Sequence, residues 1–338
     1  MNIKSAKNNL QRILKLKEHL PVLLWSSSGI GKSEICKQIA EEFGWKFIDI
    51  RLPLLLPSDL LGLPYPDKEH KRAKWLYPDF FPDPDSKEKT LILFDEIGNS
   101  PITVQSAVYR IILDRSVGEH YHFPKGVKMV AASNLITDQS GVNRLSKALA
   151  NRFTHFFIEA DFDAWKEWSL SHGVNEKIIA FLNFKSNLLS TSPKVEEQAF
   201  ATPRSWMKVS NLLNSNIIDE NIIAGTVGPG VAAEFFAYIE VYGRLPDINR
   251  ILNGNKVDIP KEPSVLYAVS SSLSLRATEK NIENIFNFCK QLNEEFHILT
   301  IRDIARRDEK ILQGYSRIDE WISKYDKYFD DDKKENIN

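Results

Sequence analysis

The chain has 338 residues, 43% hydrophobic and 26% charged, enough for one large domain with a proper core and one or two smaller ones. Its 44 basic and 45 acidic residues leave a formal net charge of -1, so no general pull toward nucleic acid or an anionic membrane surface is expected. Cys36 and Cys289 stand far apart without CxxC or CxxH spacing, which argues against a disulfide framework or a zinc site and fits a reducing, cytoplasmic compartment. The first twenty residues carry lysines throughout and no uninterrupted apolar run, so no signal peptide is expected and the mature chain is expected to start at Met1. The least charged stretch, Ile222 to Ala233, contains Gly-Pro-Gly and is well short of the ~20 apolar residues of a membrane span.

In chain order, Leu10, Ile13, Leu14 and Leu20 recur at roughly helical spacing and predict an amphipathic helix over the first twenty residues, stopping before Pro21. Val22 to Trp25 is a short apolar run that breaks into Ser26-Ser27-Ser28-Gly29-Ile30-Gly31, and a helical pattern resumes at Ile35, Ile39 and Phe43. This is strand, loop, helix. Trp45 to Ile50 reads as a second strand and Met129 to Ala132 as a fourth, while Leu91 to Phe94, with no polar alternation, reads as a third strand buried on both faces. Strands separated by helical stretches imply an α/β class with a parallel sheet sandwiched by helices.

Beyond Phe157 the pattern turns helical, around Ala164 to Ser171 and from Glu176 to Leu189, then again from Thr202-Pro203-Arg204, where Thr suits the cap and Pro the first helical position. Tyr242 to Pro263 reads as loop-rich, and Ile282 to Ile322 as two or three amphipathic helices. The expected division is an α/β domain over 1–160, helical domains over 161–240 and 241–330, and a polar tail over 331–338, frayed or disordered.

The P-loop pattern G-x-x-x-x-G-K-[ST] is met at Gly31-Lys32-Ser33, with Ser26 in the place of the first glycine. Between a strand and a helix N-terminus, the backbone from Ser28 and Gly29 through Ile30 and Gly31 to Lys32, Ser33 and Glu34 can present N–H groups to a phosphate, which the helix dipole also favours. Lys32 then reaches the β- and γ-phosphates, and Ser33 places its hydroxyl on a bridging Mg2+ ion. Sixty-three residues beyond Lys32, the buried strand ends in Asp95-Glu96. The division of labour that phosphoryl transfer needs assigns Asp95 to the metal and Glu96 to the attacking water. Asn134 closes the fourth strand at the carboxyl edge, where it can bond the γ-phosphate or the water. Arg152 lies 18 residues further on, just before the last core strand; on pattern alone a surface arginine in a structural salt bridge is the default reading.

These residues resemble AAA+ ATPases of the MoxR branch. The resemblance runs through Leu56-Pro57-Ser58-Asp59-Leu60-Leu61-Gly62 after the second strand, Phe94-Asp95-Glu96-Ile97 followed by Val104-Gln105-Ser106-Ala107, and Ala132-Ser133-Asn134. It covers about residues 20 to 210 and implies Walker A at Ser26 to Ser33, Walker B at Leu91 to Glu96, and sensor 1 at Asn134. It further implies an arginine finger at Arg152, with Arg144 as runner-up, sensor 2 at Arg204, and a helical lid after the α/β domain. The departures are Ser26, which bears on nucleotide affinity, and Gly98-Asn99 where the family often has Asn-Arg, which bears on coupling to a neighbouring subunit.

The implied function is ATP hydrolysis with Mg2+ by a ring, a hexamer in expectation, that remodels or matures a partner protein, often beside a von Willebrand factor A domain protein. One alternative is a motor on nucleic acid, for which Lys68, Lys71, Arg72 and Lys74 supply a basic loop. Another is a nucleotide switch or scaffold with little hydrolysis. His120 and His122 read as a hairpin surface because no third ligand is near, Phe162, Trp165 and Trp168 as core, and Arg302, Arg306 and Arg307, alternating with Asp303, Asp308 and Glu309, as a solvated helix.

Overall fold

A computed structural model describes residues 1–135, 145, 147–192 and 197–325; Arg144 and the tail 331–338 lie outside the described residues. The chain divides after Glu159 into two compact units.

The first unit is built on five parallel strands, β1 (Val22–Ser26), β2 (Lys46–Arg51), β5 (Thr90–Asp95), β8 (Val127–Asn134) and β9 (Thr154–Phe157), in the order β2-β5-β8-β1-β9. Two antiparallel hairpins interrupt the series, β3 (Leu63–Asp67) with β4 (Arg72–Leu76) and β6 (Ser116–Val117) with β7 (Tyr121–His122). Side chains alternate between two cores, as strand geometry requires. Leu23, Ile92, Phe94 and Ala131 face helix Ile102–Asp114 through Val104, Val108 and Ile111. Val22, Leu24, Leu91, Leu93, Val130 and Ala132 face helices Ile3–Leu14 and Lys32–Phe43 through Leu10, Ile35 and Ile39. Every residue of β5 is buried, as the absence of polar alternation predicts.

The first helix is shorter than its pattern predicts, ending at Leu14 rather than near residue 20. The chain leaves the helix and hands the carbonyls of Leu16 and Glu18 to the Nζ of Lys128, at 2.6 and 2.9 Å. The segment Leu56 to Gly62 forms a short helix, Pro57–Leu61, capped by Asp59 through the Leu56 N–H at 2.8 Å. Gly62 has φ +81, and a Cβ there would lie 1.9 Å from the carbonyl oxygen of Leu76. Only glycine tolerates both that dihedral and that approach.

The regular elements of the second unit are all helices among its described residues. Its first core gathers Trp165, Phe181, Trp206 and Phe235, and its second Phe286, Phe296, Trp321 and Tyr325. The aromatic side chains of Phe162, Trp165 and Trp168 belong to this packing. Helix Pro263–Arg276 joins the two, giving Ala268 to one core and Val265, Val269 and Leu273 to the other. Residues 242–263, expected to be loop-rich, hold one short helix at Ile248–Leu252.

Helix Glu294–Arg307 is not the solvated helix its charges suggest. Asp303 is fully buried, 2.7 Å from the Nζ of the equally buried Lys166, which also donates to Oδ1 of Asn183 at 2.7 Å. Burial pulls the Lys166 ammonium below its usual range, and Asp303 opposes that shift. Arg306 donates to Asp163 at 2.9 Å, and Arg307 to the carbonyls of Leu275 and Ala277. No helix among the described residues is long and apolar enough to cross a membrane.

Candidate active site

The outgoing connections of β1 and β8 run in opposite directions, β1 toward β2 and β8 past β1 toward β9. A crevice forms at the carboxyl ends of strands where such a reversal occurs. The two strand ends are in register there, Ser26 opposite Asn134. After Ser26 the chain turns through Gly29 (φ +78) and Gly31 (φ +111), and helix Lys32–Phe43 begins. Gly31 has no side chain to cap that helix, so its first turn suits an anion as the capping group.

Lys32 is buried, and its ammonium is held by Oγ of Ser26 at 2.9 Å, the carbonyls of Ser26 and Ser27 at 3.1 and 3.4 Å, and Oδ1 of Asn134 at 2.9 Å. The serine in place of the first P-loop glycine is therefore a direct partner of the lysine. Ser33 donates its hydroxyl to Oδ2 of Asp95 at 2.6 Å. A hydroxyl and a carboxylate meeting in this way form an oxygen donor pair suited to a hard cation such as Mg2+. Glu96 follows in the left-handed region at φ +57, its N–H bonded to Oδ1 of Asp95 at 2.9 Å, and its side chain is exposed. A non-glycine residue held there carries backbone strain of the kind found at functional sites. The Glu34 side chain accepts from Gln38 at 3.2 Å, leaving its backbone as its contribution to an anion site.

A carboxylate that sequence reasoning passed over, Asp49 on β2, belongs to the same electrostatic neighbourhood. Burial and the charge of Asp95 raise its pKa, Arg51 opposes, and Glu96 adds a further upward push. Cys36 lies buried on the P-loop helix; burial first, then Asp95 and Asp49, push its thiol far above its ordinary value, so it is inert as a nucleophile.

Arg152 sits in the turn after the short helix Lys147–Ala150. It is exposed, with its guanidinium carbon 6.0 Å from the centre of the Tyr109 ring. Arg204 is exposed in the first turn of helix Pro203–Asn214 in the second unit, where Thr202 accepts the Ser205 N–H at 3.0 Å as the predicted cap. The structure thus brings Lys32, Ser33, Asp95, Glu96 and Asn134 to one edge, and carries Arg152 and Arg204 on separate elements. His120 and His122 are exposed at the turn and second strand of the β6–β7 hairpin.

A phosphate loop, a carboxylate strand end and a polar residue closing the adjacent strand define a P-loop nucleotide-binding fold. Residues 21–155 match the model of the family described as "ATPase family associated with various cellular activities (AAA)". The chain is also similar to a provisionally designated ATPase from Cytophaga hutchinsonii at 17% identity and TM-score 0.36, covering 89% of this chain and 80% of that one. NtrX from Brucella abortus is similar at 12% and 0.38, over 90% and 68%. A RuvB variant from Thermotoga maritima is similar at 16% and 0.40, over 89% and 88%.

Proposed function

We propose that the chain is a MoxR-like AAA+ ATPase that hydrolyses ATP with Mg2+ in a ring, as a hexamer, to remodel or mature a partner protein, with a von Willebrand factor A domain protein as a candidate partner. The observation that carries the catalytic part is the convergence of Lys32, Ser33, Asp95 and Asn134 at one sheet edge. Lys32 compensates phosphate charge, Ser33 and Asp95 hold the metal, Glu96 orients the water, Asn134 contacts the γ-phosphate, and Arg204 senses the nucleotide. A Mg2+ ion held by Ser33 and Asp95 would supply positive charge to offset that of the phosphates. An exposed Arg152 whose guanidinium lies over the Tyr109 ring suits presentation to a neighbour.

The test mixes two inactive variants under conditions of subunit exchange. An Arg152→Ala subunit has a complete phosphate loop but offers no arginine, whereas a Lys32→Ala subunit offers the arginine but has no usable site. ATPase activity that returns at intermediate mixing supports the reading, and mass-verified mixed rings without activity overturn it. If Arg144→Ala hydrolyses slowly while Arg152→Ala does not, the finger is Arg144.

The second reading, a motor on nucleic acid, draws on the basic β3–β4 hairpin. There Asp67 takes Lys74 at 2.9 Å and Arg72 at 3.7 Å, which removes two of the four cations from a generic phosphate surface. Salt-sensitive stimulation of the ATPase by single-stranded DNA beyond about twofold would favour the motor.

A further inference from the structure

We propose that His155 is a positioning residue for Arg152, tying the turn that carries the arginine to the strand that leads into the phosphate loop. The proposal rests on the reading of Arg152 as the group offered to a neighbouring nucleotide.

Trp25 is the next-to-last residue of β1, directly before Ser26. Its indole Nε1–H donates to Nδ1 of His155 at 2.8 Å. With Nδ1 accepting, the ring proton resides on Nε2, and Nε2 lies 2.8 Å from the carbonyl oxygen of Ala150 and donates to it. Ala150 ends the short helix two residues before Arg152. Both imidazole nitrogens are therefore committed, one to each element, which leaves no role for the ring as a base or metal ligand.

The ring's orientation is set by packing as well as by hydrogen bonds. His155 stacks on Trp25 at 6.2 Å and on Phe157 at 6.4 Å, each pair tilted by 17°. The strand does not need this contact to form, since β9 already pairs in register with β1, Leu23 opposite His155 and Trp25 opposite Phe157. The imidazole adds a tether to the turn ahead of the strand. That turn is otherwise closed by the Arg152 N–H on Leu149 and the Phe153 N–H on Ala150, both at 3.1 Å. On the other side, Ser26 holds the Lys32 ammonium. The path from Lys32 through Ser26, Trp25, His155 and Ala150 to Arg152 thus joins the site a subunit uses to the arginine it gives away. A misplacement of about 1 Å in a group acting on a transition state costs on the order of 10²-fold in rate, so this tether bears on turnover.

Two substitutions separate positioning from folding. In His155→Asn the shorter amide can still accept the Trp25 N–H but falls short of Ala150, whereas the His155→Gln amide has the length to reach it. In the full-length protein, His155→Asn is expected to lower kcat by roughly 10- to 100-fold with the ATP affinity changed less than about twofold, and His155→Gln to retain most of the rate. Equal kcat in the two, or a loss of affinity matching the loss of rate, overturns the proposal. The defect should also travel with the donor subunit. His155→Asn mixed with Lys32→Ala should regain activity, because the second variant presents an intact His155 and Arg152 to the first.

The parallel mixture of Arg152→Ala with Lys32→Ala separates the two layers of the argument. Recovery in both mixtures supports the proposal. Recovery with Arg152→Ala but not with His155→Asn means that His155 serves its own subunit's site, which overturns the proposal and leaves the reading of Arg152 intact. No recovery in either, in verified mixed assemblies, removes that reading and the proposal with it.

Discussion

The ammonium of Lys32 lies 2.9 Å from Oδ1 of Asn134, linking the start of the P-loop helix to the end of β8 across 102 residues of chain. The two side chains therefore meet at one point of the sheet edge, but with different charges. Lys32→Ala should abolish ATP binding, because the β/γ-phosphate charge loses its counter-ion. Asn134→Ala should bind nearly normally and turn over roughly 10²-fold more slowly, the scale for removing one preorganised polar contact to a transition state. Nucleotide affinity and steady-state hydrolysis on both variants check this.

Asp95 and Glu96 are adjacent but differently placed, the first buried on Ser33 and the second exposed in a left-handed turn. Glu96→Gln should keep ATP affinity and lose turnover, whereas Asp95→Asn should raise the Mg2+ concentration needed for half-maximal activity. Equal loss of affinity in Glu96→Gln and Lys32→Ala would remove Glu96 from the water-activating role.

Burial, and then the charges of Arg115 and Lys128, lower the pKa of His19 to about 4. Because the folded value lies below the ordinary 6.5, the unfolded chain takes the proton first, and stability falls as pH drops from 6.5 toward 4. The loss is up to roughly 3 kcal/mol and levels off below pH 4, where the folded state is protonated too. Urea unfolding at pH 7 and pH 4.5 should reveal the drop, and His19→Leu should shrink it.

Asp303→Ala should destabilise the second unit by about 3–5 kcal/mol, since it strands the buried Lys166 ammonium. The double variant Lys166→Met, Asp303→Leu should recover most of that loss, because an apolar pair has no charge to desolvate. Shifts in the urea midpoint of the full chain measure both. A double variant as unstable as the single would mean that the pair's cost lies in packing rather than charge.

The strands and the phosphate loop were legible because their signals are local. A run such as Leu91 to Phe94, short and followed by two acids, reads as a strand buried on both faces, and Gly29 and Gly31 before Lys32 suit a turn. The buried helix Pro263–Arg276 went unread for the opposite reason. Ser270, Ser271, Ser272 and Ser274 are all buried, so polar and apolar positions do not separate into two faces of that helix. The β3–β4 hairpin was missed because its strands expose most of both faces and show no alternation.

Sequence alone determined the parallel α/β module, the order of its motifs, and which residue types stand at the strand ends. Only the tertiary structure decided that Asp303 is buried on Lys166 rather than solvated, that Ser26 holds Lys32, and that His155 spans from Trp25 to Ala150. The physical reason is range. Backbone conformation and periodic burial are set by neighbours a few positions away, whereas an ion pair or a hydrogen bond across 130 residues depends on which elements pack together, and an acid beside a base reads the same in water and in the core.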